Sequence, residues 1–435
     1  MKKQIKRQAV IIIHGIGEQR PIESLRNFVE AISNQLKKNK KVQEEKTIFW
    51  DKPDPSSGNY ETRKIIMNGG RDCPITEFYE FYWAHHMRET KWLHIKNWLF
   101  SVVFRRHKNV SKRLQPIWFF MWILLVTLLS AIVIYLIMSG INAFSTMIKA
   151  FSGGIIGTGI IATISYYLFN FLGDAGRYLD PTPENIAERQ AIREEGVKLL
   201  KNLHESGKYD RIVVIGHSLG SVIGYDLIRL LWNEYYKSFD NEKFHLLIQG
   251  ANKQILRDIT CSEDAGKQLD RTNKTLKAFQ DAQTKSYEYL KAIGNKWLIT
   301  DFLTIGSPLA HAGHLFAHKK ELFEKLKEQR EYPTCPPIIH DSNKTNILPA
   351  NKINIDGLPH PLSIRLFNHS SPFAVTKWTN IYYDLDFIGG PLKDRYGIGI
   401  RDIRVKSKNL LCHTKYWDFK KKYNILNRLC DILRR

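Results

Sequence analysis

The stretch Ile212-Val213-Val214-Ile215-Gly216-His217-Ser218-Leu219-Gly220 decides the fold of this chain. Its first four residues are β-branched and apolar, which is typical of a strand buried on both faces of a parallel sheet. A helix-like run follows from about Ser218 onward, and the two outer glycines permit the close backbone approach of a sharp turn between strand and helix. The stretch therefore predicts a strand, a tight turn and a helix, with Ser218 at the apex.

A serine at this apex is placed for chemistry. Its hydroxyl lies at the N-terminal end of the following helix, where partial positive charge favours a developing anion. The competing interpretation is a purely structural turn, because GxSxG also arises by chance in long chains. The strand before Gly216 and the helix after Gly220 favour the nucleophile.

A second turn follows another buried-strand run, Ala9 to Ile13, and reads His14-Gly15-Ile16-Gly17. Acyl transfer needs two N–H donors for the oxyanion, one from the residue after the nucleophile and one from a glycine-rich loop after an earlier strand. We therefore predict that the amides of Leu219 and Ile16 form an oxyanion hole. The competing interpretation is an ordinary tight turn between strand and loop, which the presence of GHSLG disfavours.

The acid and the histidine of a catalytic triad are expected after the serine, each beyond a strand. The run 378–383 predicts a strand that leads to Asp384 and Asp386, and 400–405 predicts the next strand, with His413 beyond it. This is the required order. Asp384 remains a rival to Asp386, and His360 and His369 are remote rivals to His413.

These motifs resemble those of the α/β-hydrolase superfamily, specifically its lipase-like serine esterases, a group that includes the lecithin:cholesterol acyltransferases and the GPI-inositol deacylases. The resemblance rests on segments spread over nearly the whole chain: HGIG at 14–17, GHSLG at 216–220, IGSPL at 305–309, the segment from Trp378 to Asp386, and HTKYW at 413–417. It implies an α/β fold with a mostly parallel sheet flanked by helices. It also implies that Ser218 is the nucleophile, Asp386 the orienting acid and His413 the base, supported by His14, Gly15, Gly17, Gly216, His217 and Gly220. Phe387 departs from the pattern, which usually has proline after the acid.

The chain length and the cysteine content limit the number of domains and the cellular compartment. A chain of 435 residues can form one large domain with insertions or two domains, and catalytic motifs at both ends favour one. The five cysteines are scattered and odd in number, so a reducing compartment fits better than a disulfide framework.

Two long apolar runs interrupt the catalytic motifs. Residues 117–139 and 151–172 each provide about 22 uncharged residues, enough to cross a hydrocarbon core as a helix. We predict a transmembrane hairpin, preceded by a basic amphipathic helix at the membrane surface in the segment from 88. Buried core helices are the alternative. The glycine-rich start of the second run, 153–159, lacks the GK[ST] ending of a phosphate loop and fits helix packing.

The basic residues before the first run predict that both catalytic halves are cytoplasmic, by the positive-inside rule. The formal net charge of +22 favours an anionic lipid surface as the partner. A nucleic-acid partner is not expected, because the sequence has no helix-turn-helix, zinc-finger or RNP pattern. Much of the charge is equally compatible with a solvated surface.

The predicted organisation is therefore a core made of residues 1–87 and 173–435, with 88–172 as the membrane insertion. A polar segment, 241–295, predicts a helical cap over the site. No cofactor is expected. His311, His314 and His318 have helical spacing, but without an HExxH motif we interpret them as ordinary helix residues, and His85 and His86 give a still weaker metal signal.

The expected activity is that of a membrane-anchored serine ester hydrolase acting on lipids or other acylated amphiphiles. Two alternatives stay open: an acyltransferase with the same triad, and a membrane-anchored interaction or effector protein whose hydrolysis is gated by a partner.

Overall fold

The protein is seen in a computed structural model that describes residues 5–16, 21–38, 49–58, 61–68, 73–87, 104–107, 110–139, 177–179, 182–238, 273–315, 320–338, 368–407, 412–413, 416 and 425–434. The second predicted membrane run, the predicted surface helix and the first half of the predicted cap lie outside these residues.

An eight-stranded sheet forms the centre of the described structure, in the order β2-β3-β4-β1-β5-β6-β7-β8. The strands are β1 (Arg7–Ile13), β2 (Phe49–Pro53), β3 (Arg63–Met67), β4 (Ile75–Phe81), β5 (Arg211–His217), β6 (Ile299–Ile305), β7 (Lys377–Tyr383) and β8 (Arg401–Val405). Every strand predicted from the sequence is confirmed, with boundaries shifted by a few residues.

The sheet is mostly parallel. From β4 to β8 all neighbours run parallel, whereas β3 is antiparallel to both β2 and β4. The carboxyl ends of β1, β5, β6 and β7 therefore meet at one edge of the sheet, which is where the motifs at 14, 216, 305 and 384 begin. Strands from both sides of the insertion at 88–172 belong to this one sheet, since β1 pairs with β4 and with β5.

Helices cover both faces. Alternate residues of β1 point to opposite sides, so Ala9 and Ile11 belong to one apolar cluster and Val10 and Ile12 to the other. The first cluster is completed by α3 (Pro183–Glu205), α4 (Leu219–Tyr235) and α5 (Asn273–Ala292). The second is completed by α1 (Glu23–Lys38) and α9 (Ile425–Leu433). The chain is thus an α/β protein with a sheet between two layers of helices, as predicted.

The shorter described helices are α6 (Ala312–Leu315), α7 (Lys320–Glu328) and α8 (Lys393–Tyr396), and 3-10 turns occur at Ala84–Met87, Pro308–His311 and Pro372–Ala374. The cysteines within the described residues, Cys73, Cys335, Cys412 and Cys430, are free thiols.

The predicted cap is corrected in its second half. Residues 273–292 form α5, which packs into the core instead of covering the site. Phe279, Gln283 and Leu290 recur on one helical face and are buried. The Tyr287 hydroxyl contacts the carbonyl oxygen of Asp210 just before β5, at the sheet edge opposite Ser218. The polar composition of α5 belongs to its outer face, which is why composition alone misplaced it.

The first predicted membrane run coincides with α2 (Gln115–Ser139), a helix without charged residues. Several of its apolar side chains are exposed, namely Phe119, Phe120, Ile123, Val126, Leu129, Val133 and Ile134. Over the part of the chain that the structure describes, no helix meets the combined length and apolarity of a membrane span. The transmembrane hairpin stays a prediction from the sequence.

Candidate active site

The turn at Ser218 has the predicted strand on one side and the predicted helix on the other. The backbone of Ser218 has φ 52° and ψ −128°, outside the regions that side-chain-bearing residues ordinarily occupy. Its amide donates to the carbonyl oxygen of Ile305 at the end of β6 (2.9 Å), which ties the turn to the sheet. A backbone of this kind costs on the order of 1–3 kcal/mol and is typical of functional sites.

Two glycines let the His14 turn touch the Ser218 turn. A Cβ added to Gly220 would lie 2.2 Å from the carbonyl oxygen of Ile13, so α4 starts directly against the end of β1. A Cβ added to Gly15 would lie 2.8 Å from the Cβ of Ser218. The turn that carries Ile16 is therefore packed against the turn that carries Leu219, as an oxyanion hole requires. Gly17 lies outside the described residues.

Ser218, His413 and Asp386 form a continuous relay. The Oγ of Ser218 lies 2.9 Å from Nε2 of His413. The Nδ1 of His413 lies 2.9 Å from Oδ2 and 3.1 Å from Oδ1 of Asp386. With Nδ1–H donating to the carboxylate, Nε2 is left as an acceptor for the serine proton. Three strand ends supply these residues, separated by as much as 195 positions in the chain.

Asp386 is held as an anion. The Tyr416 hydroxyl donates to its Oδ2 (2.6 Å), and the Ile388 amide donates to its Oδ1 (2.9 Å). Burial opposes ionisation, but the hydrogen bond and charge of His413, together with Tyr416, outweigh it and hold the pKa of Asp386 well below its ordinary value. Burial and the adjacent carboxylate raise the pKa of the Tyr416 phenol, so Tyr416 remains a donor.

Two buried serines, Ser221 and Ser307, hold the turn at Ser218 in place. The Ser221 hydroxyl, in the first turn of α4, contacts the carbonyl oxygen of Ser218 at 2.5 Å and the Oγ of Ser307 at 2.6 Å. The Ser307 hydroxyl in turn accepts from the amide of Leu309 (3.2 Å). All of these side chains are buried. The GSPL turn therefore helps to position Ser218, the candidate nucleophile.

His217 is a neutral neighbour of the relay. Its ring stacks on that of His413, with centroids 5.5 Å apart, and its Nε2 contacts the carbonyl oxygen of His413 at 3.2 Å. Burial and the adjacent His413 charge lower the pKa of His217 to about 3. His217 thus fixes the backbone of His413 without competing for its proton.

The loop that carries Asp386 (residues 384–390, the acid loop) is hydrogen-bonded to the segment that leads into α2. Arg113 donates through Nη1 to the carbonyl oxygens of Asp386 and Gly389, both at 3.0 Å, and its guanidinium lies 5.2 Å from the ring centroid of Tyr382. His311 contacts Ser111 Oγ (3.2 Å) and the carbonyl oxygen of Phe387 (3.0 Å) with its two ring nitrogens. His311 therefore has a structural role, and no metal contact is needed to explain it.

The rivals to the triad residues lie elsewhere. The Asp384 carboxylate accepts a hydrogen bond from the amide of Ser407 (2.8 Å) and lies 3.6 Å from the Arg404 guanidinium. It therefore faces the end of β8 and the residues just after it, and not His413. His369 lies exposed on the surface. His360 is outside the described residues.

Sequence reasoning missed Tyr416, Arg113 and the Ser221–Ser307 pair. Tyr416 stands three residues after His413, a spacing that one turn of chain can bring to the same carboxylate. Arg113 gave no such signal, because it is one of several basic residues before an apolar run. Its contact with Asp386 joins residues 273 positions apart.

No protein-family model, curated protein or solved structure matches this chain at a meaningful level.

Proposed function

We propose that this chain is a serine ester hydrolase. The observation that carries the proposal is the relay from Ser218 Oγ to His413 Nε2, and from His413 Nδ1 to the Asp386 carboxylate. A plain structural turn at Ser218 needs neither the distant histidine nor a buried carboxylate aligned behind it. The strain at Ser218 supports the same conclusion, because it holds the hydroxyl at the start of α4.

The proposed reaction follows from these positions. His413 accepts the proton of Ser218 while Oγ attacks the carbonyl carbon of an ester, and the amides of Ile16 and Leu219 stabilise the oxyanion. Collapse breaks the ester C–O bond, and His413 returns the proton to the leaving alcohol. Water, deprotonated by His413, then cleaves the acyl-enzyme and restores Ser218. Asp386 stabilises the imidazolium in both steps.

For the substrate we propose a lipid ester at a membrane surface, with the catalytic part on the cytoplasmic side. Three features support this choice: the apolar runs at 117–139 and 151–172, the basic residues before the first run, and the exposed apolar side chains of α2. Arg113 also places the start of α2 beside the acid loop. A substrate held near α2 would therefore be close to the triad.

The test is labelling of the full chain in detergent with a fluorophosphonate probe, followed by mapping of the labelled peptide. We expect labelling at Ser218 that is lost in Ser218→Ala and His413→Ala and retained in His369→Ala, a matched control at an exposed histidine. Folded protein that is not labelled, or a Ser218→Ala variant that is labelled equally, would contradict the proposal.

Product analysis then distinguishes the alternatives. A hydrolase releases free acid from a lipid ester whether or not an alcohol is added, whereas an acyltransferase forms a new ester in proportion to the alcohol. An interaction role predicts that Ser218→Ala keeps the cellular effect of the protein.

A further inference from the structure

A second group of polar side chains lies outside the proposed triad. His85 and His86 occupy the 3-10 turn that follows β4, and Glu195 lies on α3. The Nε2 atoms of both histidines approach the same carboxylate oxygen, Glu195 Oε2, at 3.5 Å for His85 and 2.7 Å for His86. The three side chains are 22% to 28% exposed, so the group is partly covered and still reachable from solvent.

The geometry has the features of a cation site. One ligand atom from each residue lies within 4.8 Å of the other two. A tetrahedral zinc ion binds nitrogen and oxygen ligands at about 2.0–2.2 Å, which separates them by roughly 3.4 Å. The two separations between Glu195 Oε2 and the histidine Nε2 atoms, 2.7 Å and 3.5 Å, lie on either side of that value.

The types of ligand indicate which ion. Imidazole nitrogens suit zinc and neighbouring transition metals, whereas magnesium and calcium favour sites made of oxygen atoms. Two histidines and one carboxylate leave a fourth position of a tetrahedral ion for water. The two imidazole rings lie with their centroids 3.9 Å apart, so both present a nitrogen to the same carboxylate oxygen.

We propose that His85, His86 and Glu195 bind one zinc ion. This site is separate from the triad and does not depend on the proposed hydrolase activity. Sequence spacing could not indicate it, because Glu195 lies 109 positions after His86.

The ion would join the two chain segments on either side of the 88–172 insertion. His85 and His86 precede it, and α3 follows it. The site also borders the predicted oxyanion turn, because the His85 ring stacks on Tyr82, whose ring contacts His14. Zinc would therefore stabilise the junction that holds the His14 turn in place.

The competing interpretation is a plain hydrogen bond between His86 and Glu195 with His85 alongside. Full-length, tag-free protein in detergent, stripped with EDTA and dialysed, distinguishes the two. Zn²⁺ is titrated by calorimetry, and Co²⁺ is added separately to record the visible absorption of a tetrahedral site. Thermal unfolding is measured with and without Zn²⁺.

We expect one Zn²⁺ per chain, a higher unfolding temperature with the ion, and a tetrahedral Co²⁺ spectrum. His85→Ala, His86→Ala and Glu195→Gln should each weaken Zn²⁺ binding at least tenfold and abolish the temperature shift. Glu194→Gln, at the exposed neighbouring position, and His369→Ala should bind as the unmodified chain does. Absence of saturable binding in folded protein, or unchanged affinity in His86→Ala and Glu195→Gln, would overturn the proposal.

Discussion

The guanidinium of Arg113 donates to the backbone carbonyl oxygen of Asp386, so the residue two positions before α2 holds the loop of the proposed catalytic acid. The same Nη1 also reaches the carbonyl oxygen of Gly389. A shift of the segment before α2 would therefore move the carboxylate that orients His413. We infer that Arg113 is a positioning residue for the proposed reaction.

Replacing Arg113 tests this role. Arg113→Ala removes two charge-assisted hydrogen bonds to the acid loop, and we expect about tenfold lower kcat with little change in KM. Arg106→Ala, an exposed basic residue in the same segment, is the control and should retain full activity. The measurement is kcat with a soluble ester. Equal kcat in the two variants would show that the hydrogen bonds from Arg113 do not position the acid loop.

The assignment of the acid has its own test. Asp386→Asn keeps the shape of the side chain but removes the charge behind His413, and we expect kcat to fall about 10³–10⁴-fold. Asp384→Asn is the matched control two residues away, and its activity should stay near that of the unmodified chain because Asp384 contacts Ser407. The measurement is kcat with a soluble ester. A larger loss in Asp384→Asn than in Asp386→Asn would reverse the assignment.

The contact between α4 and β1 predicts a strong effect of one methyl group. In Gly220→Ala the new Cβ would meet the backbone oxygens of Ile13 and His14, which cannot move away separately. We expect a loss of about 3 kcal/mol or more in the free energy of unfolding. Gly224→Ala, one turn later in α4, would meet the side-chain atom Phe302 Cε2 at 3.0 Å and should cost much less. Chemical denaturation of both variants provides the comparison.

A buried histidine far from the triad predicts acid sensitivity. Burial lowers the pKa of His204 from 6.5 to about 4, so the unfolded chain binds a proton between these pH values that the folded chain does not. Stability should therefore fall as the pH drops through this range, by about 1.4 kcal/mol per pH unit for this group. In His204→Gln the plot of unfolding free energy against pH should be less steep in this range, because one fewer proton is taken up on unfolding.

Gln190→Ala, on the same helix and without a titrating group, is the control for that slope. Unfolding is followed by denaturant titration from pH 7.5 to pH 4.5. An identical slope in His204→Gln and the control would show that His204 does not contribute.

Much of the fold was predictable because its signals are local. Short apolar runs such as 9–13 and 212–215 predict buried strands, and the glycines around Ser218 predict the turn. The candidate triad residues could be predicted because each was expected just after a strand, in the order serine, acid, histidine. The position of α5 was misjudged, since a helix with one buried face and one polar face has the composition of a surface segment.

The interactions that sequence reasoning missed join distant residues through single contacts. Arg113 with Asp386 and His86 with Glu195 are pairs of ordinary residue types, and nothing in their local sequence marks them. Only the assembled sheet brings them together. Long-range pairs of this kind are therefore where a three-dimensional structure adds most to the sequence.

The central position of β1 has a consequence for how the protein is made. Gln8 pairs with Arg211, 203 residues later, and at about 5–20 residues per second the ribosome needs roughly 10–40 s to deliver that partner. All of α2 is synthesised between Gln8 and Arg211, within this interval. An apolar strand with one unpaired edge is prone to unwanted association. β1 therefore cannot pair with β5 until translation has passed residues 88–172, so one apolar edge of β1 is open to association while the centre of the sheet is incomplete.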